Sequence, residues 1–151
     1  VSDNDRLNMC RLTFTDEKMT VSDTEIKRGG VSYTVETLRE IKRERPSDEL
    51  FLFVGADQFM DFDKWRCFDE ILANAVLVGV TRDESVTHEE MERFADSRLR
   101  RFGKVIVTDF KPFKVCSTEI RVKIRIGSSI HGLVTDETEK YIVNGGLYRD
   151  I

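Results

Sequence analysis

Three short stretches of this chain are apolar without interruption: Leu50-Phe51-Leu52-Phe53-Val54, Ala75-Val76-Leu77-Val78-Gly79-Val80 and Val105-Ile106-Val107. None alternates with polar residues, which predicts strands covered on both faces, as in a parallel sheet. Between them, apolar residues return at helical spacing. Val35, Leu38 and Ile41 stripe a helix from Tyr33 to Arg45, which Pro46 stops. Phe68, Ile71 and Leu72 stripe a second helix, and Met91, Phe94 and Leu99 a third, more charged one. Residues Met19 to Ile26 read as one further strand. Strand and helix therefore alternate, which points to an α/β sheet with right-handed crossovers.

The end of the chain follows another pattern. Ile120, Ile124 and Ile126 belong to one helix that stops near Gly127. Thr135 caps another, with Asp136 and Glu137 in its first turn. The expected organisation is one domain, residues 1–151, with a sheet part over 1–114 and a small helical subdomain over 115–151. A chain of 151 residues can bury about 70% of its unfolded surface, enough for one core.

Composition narrows the class. Charged residues make up 34% of the chain, well mixed, with a net charge of −4. That balance argues against a broad nucleic-acid surface and still permits a local basic pocket. No apolar run approaches the roughly 20 residues a membrane span needs, and no secretory leader is visible. Cys10, Cys67 and Cys116 are scattered and lack C-x-x-C spacing, so neither a disulfide framework nor a zinc site is expected. Reduced thiols in a cytoplasmic protein fit this usage. His88 and His131 are isolated and read as surface residues.

Candidate chemistry gathers at strand ends and helix starts. In Val115-Cys116-Ser117-Thr118-Glu119-Ile120-Arg121 a helix opens on hydroxyl residues. Its first-turn N–H groups and partial positive charge suit a phosphate. Ser117 or Thr118 can cap that helix or donate to a phosphate oxygen. Arg121 lies one turn on and offers a planar fork for the same group. A capped surface helix with an incidental arginine is the competing reading. Phe53-Val54-Gly55-Ala56-Asp57 ends a buried strand, where ligands of open α/β sheets bind. Gly55 lets a ligand approach the backbone, and Asp57 can accept from ribose hydroxyls. Asp57 as the cap of the next segment serves equally well. Arg28-Gly29-Gly30-Val31-Ser32-Tyr33-Thr34 makes a turn before a helix start and is no P-loop. Trp65, the only tryptophan, is expected in a polar, exposed loop after a strand, where it can offer a flat face to an aromatic ligand. A phosphate grip, a ribose acceptor and a stacking plate together suit a nucleotide.

These segments occur in a telling order. Asp5-Arg6-Leu7-Asn8-Met9, Gly30-Val31-Ser32-Tyr33-Thr34, Val54-Gly55-Ala56-Asp57 with Trp65, Ser117-Thr118-Glu119-Ile120-Arg121, Gly127-Ser128-Ser129-Ile130 and Gly146-Leu147-Tyr148 follow one another. In that order the chain resembles the bacterial nicotinate-nucleotide adenylyltransferases from about Asp5 to Tyr148. The resemblance implies a Rossmann-like parallel sheet of the nucleotidyltransferase type. It implies transfer of the adenylyl group of ATP to nicotinate mononucleotide, on the route to NAD. Ser117, Thr118 and Arg121 would then hold ATP phosphates, and Gly55 and Asp57 the adenosine part. Trp65 would stack on the pyridine ring, and the backbone around Thr34 would read the nicotinate carboxylate. Magnesium would ride on ATP, with no metal site in the protein. ATP and nicotinate mononucleotide are the expected partners, without nucleic acid or membrane; a homo-oligomer is compatible with the sequence.

The family's G-x-F-x-P-x-H-x-x-H segment has no counterpart here, and neither His88 nor His131 lies in a matching context. No catalytic histidine is therefore assigned. The 151 residues are expected to be part of a longer protein and not to turn over alone. The missing segment would supply a central strand, so apolar sheet edges are expected to lie unpaired. Smaller departures are Cys116 in place of a serine, Thr135 in place of a proline, and His131-Gly132 in place of a basic-aromatic pair. Two other readings remain at this point: a non-catalytic nucleotide-binding module, or a nucleotidyltransferase for another phosphorylated acceptor.

Overall fold

The computed structural model describes residues 1–81, 86–108 and 115–149. In chain order its helices and strands are α1 (Asp3–Thr13), α2 (Thr24–Arg28), α3 (Thr34–Glu44), β1 (Leu50–Gly55), α4 (Ala56–Met60) and α5 (Phe68–Asn74). There follow β2 (Ala75–Val80), α6 (His88–Phe94), β3 (Val105–Thr108), α7 (Ser117–Arg125) and α8 (Asp136–Asn144). A 3₁₀ turn covers Phe62–Lys64, and a π-helical turn over Ala95–Leu99 extends α6. The chain divides into two compact units, Gly30–Lys114 and Val1–Gly29 with Val115–Ile151.

The first of these units holds the sheet. All three apolar runs form strands, in the order β1-β2-β3 and parallel throughout. Leu52 pairs with Leu77, and Leu77 with Val105, so these side chains share one face. Helical residues pack on that face: Val35 and Leu38 of α3, Phe59 of α4, Ile71 and Leu72 of α5 and Met91 of α6 join Val54, Leu77 and Val105 in one core. The stripe predicted for the helix ending before Pro46 is thus the buried side of α3. Arg39 of α3 makes a two-pronged ion pair with Glu70 of α5, and Arg39 holds the Glu70 carboxyl below the usual carboxylate range.

The expected covering of both faces fails on β1. Phe51 and Phe53 point to the other face, 48% and 67% exposed, whereas their partners Val76 and Val78 are buried. β1 is the outer strand of the described sheet, so its side chains have a neighbouring strand on one flank only. An edge of this kind invites association with other chains. Replacing Phe53 by serine is expected to lower binding of a hydrophobic dye and to reduce self-association at high concentration. Stability should stay within about 0.5 kcal/mol, because an exposed side chain adds little to the core. A loss of several times that in a urea titration would show that Phe53 is structurally engaged.

The other unit is helical. Ser2 and Asp5 form a capping box at the start of α1, with the Asp5 N–H donating to Ser2 Oγ at 3.1 Å. α1 and α8 are joined through polar groups. Asn8 Nδ2 donates to the Tyr141 hydroxyl at 3.1 Å, and that hydroxyl donates to Asp5 Oδ1 at 2.9 Å. Thr135 caps α8 as expected, its hydroxyl accepting from the Thr138 N–H. The strand expected over Met19 to Ile26 does not form: residues 19–23 are irregular, and α2 begins at Thr24. Local hydrogen bonding wins there. The Thr24 N–H donates to Ser22 Oγ at 3.2 Å, and Asp23 pairs with Lys27 at 2.9 Å, which starts a helical turn in place of a ladder.

Candidate functional site

The residues expected to form a site fall in both units. In the sheet unit, Gly30 takes a positive φ angle of 70° in the turn that leads into α3. Tyr33 occupies the cap position of α3 without a capping side-chain hydrogen bond. The first-turn N–H groups at Thr34 and Val35 are therefore left for other acceptors. Thr34 faces a pocket of about 360 Å³ that also contains Trp65. Ser32 and Tyr33 flank Thr34, Lys64 and Arg66 flank Trp65, and buried Ile71 lies beneath. This is the size of a small-ligand site.

Trp65 is not the exposed loop residue the sequence suggested. It closes the 3₁₀ turn Phe62–Lys64 and is half-buried against the core. Its ring lies 4.9 Å from that of Phe62, which is fully buried. Phe62 thus fixes the indole plane, and the remaining ring surface borders the pocket. Thr34 and Trp65 thus line one pocket. Tyr33, Lys64 and Arg66 complete the surroundings. The two cations escaped the sequence reading, although basic residues on either side of the lone tryptophan were the available signal. Arg66 lies over the Tyr33 ring, 4.4 Å from its centroid, with Glu36 at 3.7 Å.

Gly55 and Asp57 stand at the carboxyl end of β1, the end at which α/β sheets bind ligands. Gly55 has extended backbone (φ −71°, ψ 161°) and is buried, so conformation does not demand glycine there. Asp57 is exposed in the first turn of α4, where it can accept from a ligand. Neither residue lines the Trp65 pocket.

In the helical unit, α7 opens at Ser117. The cap position belongs to Cys116, not to Ser117 or Thr118, because Cys116 is the last residue with extended backbone (φ −113°, ψ 127°). No side chain closes a capping hydrogen bond on this helix. The N–H groups of Glu119 and then Thr118, followed by the Thr118 hydroxyl, nonetheless favour the Cys116 thiolate and hold this thiol below the usual thiol range. The Arg121 charge adds to them. Ser117 and Thr118 are exposed, and Arg121 donates to Thr118 Oγ1 at 3.1 Å. Hydroxyl, guanidinium and first-turn N–H groups thus meet within one turn, as an anion site requires.

The same unit holds another convergence. His131 Nδ1 lies 3.7 Å from Asp136 and 3.5 Å from Glu139, with all three ligand-type atoms within 4.8 Å. These are loose polar contacts at the start of α8.

The sheet order and the two sites can be set beside known proteins. Residues 1–123 match the cytidylyltransferase-like family. The probable nicotinate-nucleotide adenylyltransferase of Geobacter metallireducens is 34% identical, over 95% of this chain and 73% of its own length. That of Borreliella burgdorferi is also 34% identical, over 98% of this chain and 72% of its own. Among solved structures, the Plasmodium falciparum nicotinic acid mononucleotide adenylyltransferase complexed with APC superposes with a TM-score of 0.71. It covers 98% of this chain and 76% of its own, at 18% identity, and so speaks for the fold. Identity of this order along nearly the whole sequence, on a parallel sheet with an open helix start, places the chain in the nicotinate-nucleotide adenylyltransferase family.

Proposed function

We propose that this chain carries the ATP and nicotinate mononucleotide sites of an enzyme that transfers the adenylyl group of ATP to nicotinate mononucleotide. The observation that carries this reading is the Trp65 pocket, which sets a fixed aromatic plane beside the uncapped start of α3. A pyridine ring stacks on the indole, and its carboxylate accepts from the N–H groups at Thr34. Asp57 accepts from the adenosine ribose, with Gly55 leaving room for it. Ser117, Thr118 and Arg121 hold the ATP phosphates. The chain works as one nucleotidyltransferase domain, with residues 1–114 carrying the acceptor pocket and residues 115–151 the phosphate grip. The relatives' names give this reading its acceptor.

No protein nucleophile is needed. A phosphate oxygen of the mononucleotide attacks the α-phosphorus of ATP, forming one P–O bond as the bond to the β-phosphate oxygen breaks. Pyrophosphate leaves with that electron pair. Positioning and neutralisation of charge supply the rate. A divalent metal, magnesium in this reading, supplies further neutralisation when bound to the triphosphate. The phosphate grip offers hydroxyls and a guanidinium, with Glu119 the one carboxylate of that turn. His131, Asp136 and Glu139 include an imidazole, which suits borderline metals better than magnesium. Among the described residues, these donor sets suit a metal that arrives on ATP.

Cys116 gives a local readout. In a chain with Cys10 and Cys67 changed to serine, Cys116 alkylation by iodoacetamide is expected to stay fast below the ordinary thiol pKa. ATP at ten times its Kd should slow it about tenfold, since protection follows occupancy. ATP that binds by calorimetry without protecting Cys116 would remove the phosphates from the start of α7.

A further inference from the structure

We propose that the Arg66 guanidinium sets the preference of the Trp65 pocket for an acidic over an amide pyridine nucleotide. The inference rests on the pocket reading above and adds a charge-based selector to it. Neutral N–H donors at Thr34 can serve the oxygen of a carboxylate or of a carboxamide. A formal positive charge separates the two ligands more strongly. The pyridinium ring of either nucleotide is itself cationic. In the acid the carboxylate cancels that charge, and in the amide nothing does. A cation beside Trp65 therefore attracts one substituent and repels the other ligand's net ring charge. The phosphate is common to both ligands and drops out of the comparison.

Two cations border Trp65, and they differ. Lys64 is tied to Asp61 by an ion pair within its own turn. Arg66 is held differently. Its guanidinium rests on the Tyr33 ring at 4.4 Å, which fixes its plane before any ligand arrives. Glu36 stands 3.7 Å away, a contact longer than a hydrogen bond. A guanidinium has five donors, more than one carboxylate occupies. The side chain is 56% exposed and so open to a ligand. Tyr33 and Arg66 both line the pocket that holds Thr34. Glu36, one residue further into α3 than Val35, competes with a ligand carboxylate for the same cation.

The test is calorimetry of this chain with nicotinate mononucleotide and with nicotinamide mononucleotide. Arg66→Gln is expected to weaken the acid about tenfold, the size of an exposed charge-assisted hydrogen bond. The amide should bind within twofold of before, or tighter. Arg66→Lys keeps the charge without the planar fork and should lose about threefold for the acid. Glu36→Gln removes the competitor and should tighten the acid about threefold. This gain is one that a purely structural role for Arg66 does not produce. Equal weakening of both ligands by Arg66→Gln, or no change for the acid, overturns the inference while the pocket reading stands. Failure of the unaltered chain to bind either nucleotide overturns the pocket reading itself, and this inference with it.

Discussion

Trp65→Ala is expected to weaken nicotinate mononucleotide binding by about 100-fold while leaving ATP affinity within twofold. The size follows from two contributions. Burying one face of a pyridine ring against the indole removes roughly 60 Å² of apolar surface from water, about 1.5 kcal/mol. The ring's positive charge over the indole face adds up to about 2 kcal/mol when water is excluded. Together these come to about 3 kcal/mol, or two orders of magnitude in Kd. Orientation is already fixed in the free chain, because Phe62 backs the indole at 4.9 Å and is itself fully buried. Little ordering cost is therefore left to binding. The same packing creates a confounding effect, since removing the indole also uncovers Phe62 and loosens the 3₁₀ turn. Trp65→Phe separates the two: it keeps an aromatic plane on Phe62 and should lose about tenfold. Calorimetry that finds both variants binding as the unaltered chain does would exclude Trp65 from the acceptor site.

The contrast between Trp65 and its neighbours shows what a linear sequence can reveal. The three strands and the helices α3, α5, α7 and α8 were legible because each depends on residues within a turn or a short run. Pro46 ends α3, Thr135 caps α8, and Gly127 takes the positive φ that follows α7. Where local signals competed, reading failed. Met19 to Ile26 holds β-branched residues, but Ser22 and Asp23 satisfy the backbone locally and start α2. The exposed faces of Phe51 and Phe53 depend on which strands flank β1, a property of the sheet and not of the run. Arg66 escaped for the same reason: its partners Tyr33 and Glu36 lie some thirty positions away and come close only in the fold. The cap of α7 shifted by one residue to Cys116, a scale at which helix boundaries are set by backbone angles more than by residue type.

Gly103→Ala is expected to cost about 3 kcal/mol of stability, the upper end for overpacking. Gly103 does not have a positive φ, so conformation does not demand glycine there. Space does. A Cβ on Gly103 would lie 2.0 Å from the Leu72 carbonyl oxygen and 2.7 Å from its carbon. Those atoms are backbone of α5, and Leu72 is buried in the core, so neither side can yield without moving the helix that leads into β2. Phe102, immediately before, packs edge-on against Phe68 of α5 at 5.1 Å and resists the opposite shift. A urea titration should show a lowered midpoint with an unchanged slope. Gly29→Ala makes the comparison. Gly29 has φ +68° with ψ 175°, a region almost confined to glycine, and open space around its Cβ position, so its cost of about 1–3 kcal/mol comes through backbone strain alone. A Gly103→Ala chain as stable as the unaltered one would mean that α5 and the entry to β3 are not in contact. The support of α5 beneath β2, and with it the placing of Ile71 under the Trp65 pocket, would then need another origin.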